Sequence, residues 1–299
     1  MLDIHSVFNN SMKQKRKESP LVGDIGELLL DMFDGPAGDQ FQRAAATFCA
    51  RQQIALESLR ERRRKDSRLN TFLNEAESNP LCRRLQLKDI IPTGIQRLTK
   101  YPLLFGNLAK YSTDSEEEEK RVKQALVRSK EILNFVNQAV KEADDEHRLA
   151  EIQKRLDRTQ FEKVDNPLVN DYRSLDLTKH KLIHVGNLNW RIATRQKLID
   201  LYVLLLEDII VLLQKQDDSK YVLKFYNVNS TTGERTPPLS PIIKLSTVIV
   251  RANAVGKSDL EYFIIFRFDR RRNNILFEKT NKKSCCFPME SFYSISINT

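Results

Sequence analysis

The chain has 299 residues, with 49 Lys and Arg against 40 Asp and Glu, a formal charge of +9. That length allows two domains with their own cores, and the basic excess favours an acidic partner: an anionic membrane, a nucleic acid or an acidic protein surface. No apolar stretch is long enough to span a membrane and no signal peptide opens the chain, while Cys49, Cys82, Cys285 and Cys286 show neither a disulfide framework nor metal spacing, which suits reduced thiols.

Residues 1 to about 157 read as helical. MLDIHSVFNNSMKQKRK is an amphipathic helix that runs into a basic stretch and pauses at Ser19-Pro20. A second helix, from about Leu21 to Phe33, stops at the turn signal Asp34-Gly35-Pro36-Ala37-Gly38. Asp39 to about Lys65 is helical again and ends on Arg60, Arg62, Arg63, Arg64 and Lys65, cations that suit a helix C-terminus. A solvated helix end explains this run better than nucleic-acid binding. Leu69 to Ala76 form a short helix closed by Asn79-Pro80. The last helix opens with Ser115 and Glu118 as a capping box. Its stripe, Val122, Leu126, Leu133, Val136, Val140 and Ala143, continues through Leu149, Ile152 and Leu156. At 1.5 Å per residue that makes a rod on the order of 60 Å, long enough to join two domains.

Beyond Asn166-Pro167 the period changes. Leu182 to Ile192 reads as a strand with Trp190, and Leu201 to Leu206 and Ile209 to Leu213 form a hairpin split by Glu207-Asp208. Tyr221 to Val228, Ile242 to Val250 and Tyr262 to Phe268 add strands around a long loop, Thr231 to Pro241. His180 and His184 stand at i, i+4, but Lys181 occupies the place a zinc protease gives to Glu, so they make a poor metal site. No Ser-His-Asp arrangement or glycine-rich phosphate loop is present. The fold class is therefore α + β multidomain: an all-α elongated helical bundle followed by an antiparallel β sandwich or barrel.

The segment LQLKDIIPTGIQRLTKYPLL, Leu85 to Leu104, is the most informative. Ile91, Ile95, Leu98 and Pro102 stack on one helix side, and Gln96, Lys100 and Asn107 cluster roughly opposite. Periodicity leaves two readings of the polar side, a solvated face or a recognition face.

Leu85, Leu87, Pro92, Gln96, Arg97, Lys100, Tyr101, Pro102, Leu103 and Leu104 resemble the most characteristic block of the Dbl-homology (DH) domain. That domain is the catalytic module of guanine-nucleotide exchange factors for Rho GTPases. Phe48 to Leu87 resembles the preceding DH helices, and Ile132 to Leu149 the last long one. Leu175 to Ile192 and Leu201 to Asp218 resemble the opening strands of the pleckstrin-homology (PH) domain that follows. The likeness covers roughly residues 1 to 268. It points to the exchange factors that also carry a regulator-of-G-protein-signalling domain, of the leukaemia-associated and PDZ-containing types.

The resemblance implies exchange without covalent chemistry, cofactor or metal: the module binds the nucleotide-free GTPase more tightly than the nucleotide-bound form, so GDP leaves faster. It implies a RhoA-like partner met by Gln96 and Lys100 at switch II, Asn137 at the same switch, and Arg84 and Leu85 at the β2–β3 region that distinguishes Rho from Rac. An arginine there can pair bidentately with carboxylates. It also implies a second GTPase contact at Tyr262 and Ile264, and a contact with anionic lipids at Arg191, Arg195 and Lys197, for which an ordinary exposed loop is the alternative. Arg97 and Tyr101 read as structural, and Leu103, Leu104 and Phe105 as core. Such a protein would be cytoplasmic and peripheral to the plasma membrane.

Three departures stand beside the resemblance. Gly94 replaces a larger residue and weakens its helix by roughly 1 kcal/mol. The family's first helix, with a glutamate for switch I, has no counterpart after Met1, which predicts an open apolar groove. After Phe268 the sequence leaves the family pattern, and the tryptophan helix that plugs the PH sheet is missing. The expected organisation is a DH domain lacking its first helix over 1–157, a linker over 158–175, an incomplete PH domain over 176–269 and a divergent basic tail over 270–299. The alternative function is a non-catalytic DH-PH fragment that binds or regulates the GTPase. Nucleic-acid binding lacks aromatic platforms and a reading motif.

Overall fold

The computed structural model describes residues 1–19, 22–112, 115–192, 197–216, 219–226, 238–255, 259–268 and 271–278, with side chains outside 168, 189, 191–198 and beyond 248. The chain divides into two compact units, Met1–Asp144 and Asp145–Thr299.

The first unit is helical: α1 (Leu2–Glu18), α2 (Gly26–Phe33), α3 (Gly35–Lys65), α4 (Ser67–Glu77), α5 (Leu87–Ile90), α6 (Thr93–Tyr111) and the start of α7 (Glu116–Lys154). The turn signal at Asp34-Gly38 shrinks to one residue. Asp34 is extended and accepts from Gly35 N, while Pro36 stands in the first turn of α3. Proline is tolerated there, because an N–H at that position has no intrahelical acceptor. Gly35 supplies the left-handed step, with φ +57°.

The capping box at Ser115 and Glu118 also resolves differently. Ser115 Oγ is 3.5 Å from Glu118 N, but the Glu118 carboxylate turns away and accepts from Ile25 N and Gly26 N, each at 2.8 Å. It thus caps α2 across the bundle. A Cβ on Gly26 would lie 2.6 Å from Arg121 Cβ, so glycine permits this approach.

The core of this unit is aromatic. Phe33 stands edge-on to Phe41, Tyr101 and Phe105, with centroids 5.4, 5.0 and 4.9 Å away. In this unit α7 buries Val122, Ala125, Ser129, Ile132 and Val136 as well as Glu118. Val122 and Val136 of the predicted stripe are fully buried, whereas Leu126, Leu133 and Val140 flank the core, half-buried. Among α1, α2 and α3 lies a cleft of about 190 Å³ lined in part by Ile4, Phe8, Leu28 and Met32.

The second unit holds β1 (Leu156–Asp157), α8 (Thr159–Glu162), α9 (Pro167–Tyr172), β2 (Leu182–Ile192), β3 (Lys197–Leu206), β4 (Ile209–Gln216), β5 (Lys220–Val222), β6 (Ile242–Lys244), β7 (Val248–Val255), β8 (Asp259–Phe268) and β9 (Arg271–Glu278). Among the described residues the sheet order is β1-β5-β4-β3-β2-β9-β8-β7, with β6 beside β4. Among the described residues no ladder closes it into a barrel. Glu207 and Asp208 do separate β3 from β4, and β9 adds a strand that the sequence left unassigned. The predicted strand Ile242 to Val250 is broken by a 3₁₀ turn at Leu245–Thr247, and Tyr221 to Val228 keeps a ladder only to Val222.

Both faces of β3 and β4 are covered. Leu201, Val203, Leu205, Ile210 and Leu212 join Trp190, Tyr226 and Ile243 on one face. Leu204, Leu206, Ile209, Val211 and Leu213 join Leu149, Ile152, Phe161 and Val169 on the other. Two-sided burial explains the unbroken apolar runs of this hairpin, which lack the alternation of a half-exposed strand. Asp157 on β1 pairs with Lys220 on β5 at 2.8 Å, beside the sheet's parallel ladder.

Candidate functional site

α6 presents two chemically different sides. Leu98, Tyr101 and Phe105, each 3% exposed, recur at i, i+3, i+7 and face the core. Gln96 and Lys100 are exposed and lie roughly opposite. Ile91, predicted to open the apolar stripe, falls in the turn before α6, which begins at Thr93. Pro102 sits inside the helix without ending it. The Arg97 guanidinium lies 4.9 Å over the Tyr101 ring, which joins an exposed cation to a core residue.

Two core assignments fail. Leu103 is 69% and Leu104 43% exposed, and only Phe105 of the three is buried. Leu103 shares the outward side of α6 with Gln96, Lys100 and Asn107, at i, i+4, i+7 and i+11. Its place in that series was the available signal, masked by its apolar character. Exposed apolar side chains also occur on α7, at Val127 and Phe135.

Gly94 has a local explanation. A Cβ there would lie 2.7 Å from Phe48 Cε1, so the ring of Phe48 occupies the space of the missing side chain.

Arg84 and Leu85 lie on the segment between α4 and α5. Asn79 accepts from Leu81 N, a 3₁₀ turn spans Pro80–Cys82, and Arg83 and Arg84 follow with φ of 50° and 63°. Leu85 N then donates to Cys82 O at 2.8 Å, and Asp89 accepts from Gln86 N to cap α5. Arg84 is exposed and Leu85 42% exposed. Asn137 on α7 is exposed beside Val136, which is fully buried. The helical unit therefore holds all five residues, each on its surface: two on α6, one on α7, two before α5.

In the second unit Tyr262 pairs with Ala252 and Phe277, and Ile264 with Val250 and Ile275, in the middle of the β7-β8-β9 ladder. Their side chains lie outside the described set. Arg191 ends up on β2 opposite Leu198, and Lys197 opens β3 opposite Ile192. Arg195, and the side chains of Arg191 and Lys197, lie outside the described residues. His180 Nδ1 meets the Asp208 carboxylate at 2.9 Å, and no cluster able to hold a metal ion occurs among the described residues. No helix among them is long and apolar enough to cross a membrane.

A helical unit with a two-sided α6, followed by an antiparallel sheet unit, is the architecture of a DH-PH module. The RhoGEF domain model matches residues 1–137 and a PH domain model residues 166–275. Human Rho guanine nucleotide exchange factor 12 is 50% identical over 271 residues, which cover 90% of this chain and 17% of that protein. Human Rho guanine nucleotide exchange factor 11 is 46% identical over 268 residues, 89% of this chain and 17% of that protein. Among solved structures, PDZ-RhoGEF DH/PH domains in complex with GTP-γ-S activated RhoA superpose with a TM-score of 0.86 at 41% identity, covering 99% of this chain and 79% of that one. The DH/PH domains of p115-RhoGEF give 0.80 at 39%, covering 93% and 75%. The chain thus belongs to the Dbl family of Rho guanine-nucleotide exchange factors, in the group of PDZ-RhoGEF and p115-RhoGEF. It spans about a sixth of the full length of the curated relatives above.

Proposed function

We propose that this chain accelerates GDP release from a RhoA-like GTPase by binding the nucleotide-free form more tightly than the nucleotide-bound form. Such exchange needs no acid, base, nucleophile or cofactor. The observation that carries the reading is the two-sidedness of α6: Gln96 and Lys100 stand in solvent while Leu98, Tyr101 and Phe105 anchor the same helix. A rigid helix held on one side can present charge without paying for its ordering at each encounter. Asn137, Arg84 and Leu85 supply further contacts, and Tyr262 and Ile264 a second one from the β-rich unit. The exchange activity is assigned to a DH domain over 1–157, joined by 158–175 to a PH domain over 176–269, with 270–299 as a divergent tail. The protein is cytoplasmic, and Arg191, Arg195 and Lys197 draw it to anionic membrane lipids.

The test is release of a fluorescent GDP analogue from RhoA. The chain should accelerate release, and Lys100→Glu should remove at least tenfold of that acceleration, about 1.4 kcal/mol, with an unchanged melting temperature. Tight binding to nucleotide-free RhoA without acceleration would instead make the chain a non-catalytic GTPase-binding module. Unchanged exchange in Lys100→Glu would remove α6 from the contact surface.

A further inference from the structure

The segment that carries Arg84 and Leu85 starts and ends on one carboxylate. Glu77 is the last residue of α4, and its side chain is 11% exposed. Its Oε1 accepts from the backbone N–H of Leu87, the first residue of α5, at 2.9 Å. The same oxygen accepts from Arg63 Nη1 and the other from Arg63 Nη2, both at 3.1 Å. Arg63, on α3, is held in turn by α4: its Nε donates to Asn70 Oδ1 at 2.9 Å and Nη2 donates also to Asn74. A bidentate arginine–carboxylate pair fixes orientation as well as distance. The Leu87 hydrogen bond, followed by Arg63, holds the Glu77 carboxyl below its ordinary value of 4.5.

Between these anchors the backbone takes two successive left-handed steps at Arg83 and Arg84. Residues other than glycine adopt this conformation rarely, and it persists where the surroundings over-determine it. At the far end the Leu87 closure ties the segment back to α4 and α3, beside the local bonds from Leu85 N to Cys82 O and from Gln86 N to Asp89.

We propose that Glu77, locked by Arg63, is a positioning residue that aims Arg84 at the GTPase by closing the 78–86 segment onto the start of α5. The proposal rests on the reading of Arg84 and Leu85 as GTPase contacts. In this reading Glu77 acts on the GTPase only through Arg84, so its effect must vanish when Arg84 is gone. A carboxylate that only stabilised the helical unit would act whether or not Arg84 were present.

The experiment measures the dissociation constant of the chain for nucleotide-free RhoA, with melting temperature alongside. Arg84→Ala and Glu77→Ala should each weaken binding about tenfold, close to 1.4 kcal/mol, and the double variant should be no weaker than either alone. Glu77→Gln keeps an acceptor for Leu87 N and should recover most of the affinity. Leu87→Pro removes the same hydrogen bond from the donor side at a helix position where proline is tolerated, and it carries the same cycle should Glu77→Ala fail to fold. Multiplying effects of Glu77→Ala and Arg84→Ala, or full affinity in Glu77→Ala, would overturn the positioning role alone. Full affinity in Arg84→Ala, or no binding by the parent chain, would overturn the contact reading and the proposal with it.

Discussion

The outward side of α6 and the β3–β4 hairpin use similar residues to opposite ends. On α6 the run Tyr101-Pro102-Leu103-Leu104-Phe105 passes from core to solvent and back, with Leu103 69% and Leu104 43% exposed. In the hairpin Leu204, Leu205 and Leu206 are all completely buried, as are Val211, Leu212 and Leu213. A helix on a bundle's surface has one side to bury, and whatever occupies the other meets solvent or a partner. A central strand covered on both faces has no free side. Leu103 and Leu104 on α6 are therefore available for recognition, whereas the leucines buried in the hairpin serve stability.

The largest effect expected from this contrast is on stability. Leu204→Ala should lose about 2–5 kcal/mol, from lost burial plus the cavity left behind. Leu103→Ala should stay within about 0.5 kcal/mol, as surface changes do, while weakening GTPase binding. Urea denaturation of the two variants checks this, and comparable losses would show that Leu103 is packed in solution.

A smaller effect separates the two units by pH. Burial, and then Asp24 beside it, raises the Glu118 carboxyl above its ordinary 4.5. The fold favours its uncharged form, so its contribution is full below that range and fades as pH rises through the raised value. Asp157 is the reverse: hydrogen bonds from Lys220 and Thr159 hold it far below 3.8. Its contribution is present above the ordinary range and is lost as pH falls towards the folded value. From pH 7 to pH 3 the parent should therefore gain stability relative to Glu118→Gln. It should lose about 1 kcal/mol relative to Asp157→Asn. Shifts of one sign in both comparisons would contradict the opposed environments.

The smallest effect concerns Gly94. Alanine there improves helix propensity by up to about 1 kcal/mol but must displace the Phe48 ring, which is 38% exposed and has room to swing. The net change in denaturation midpoint should correspond to less than about 0.5 kcal/mol. A loss well beyond that would mean Phe48 is fixed against α6.

The exposure of two candidate residues was legible before the fold. Gln96 and Lys100 fell on a polar helix side because their spacing matches the helical period, and they are exposed. The α7 stripe was harder. Leu126, Leu133 and Val140 are as apolar as Ile132 and Val136, and Ala125 and Ser129 are small enough to be overlooked, so two overlapping tracks compete. The track that is buried is the one with small residues. Glu118 followed a local capping rule in sequence, yet its carboxylate serves a helix more than ninety positions away.

The sequence by itself determined a helical part followed by a strand-rich one, and the family, because periodicity and a long ordered motif are local properties of the chain. Only the tertiary structure decided which leucines of α6 stay in solvent, where the α7 seam runs, and that Glu77 and Leu87 close the segment bearing Arg84. These outcomes depend on which neighbours approach each side chain across the bundle, and spacing along the chain carries no record of that.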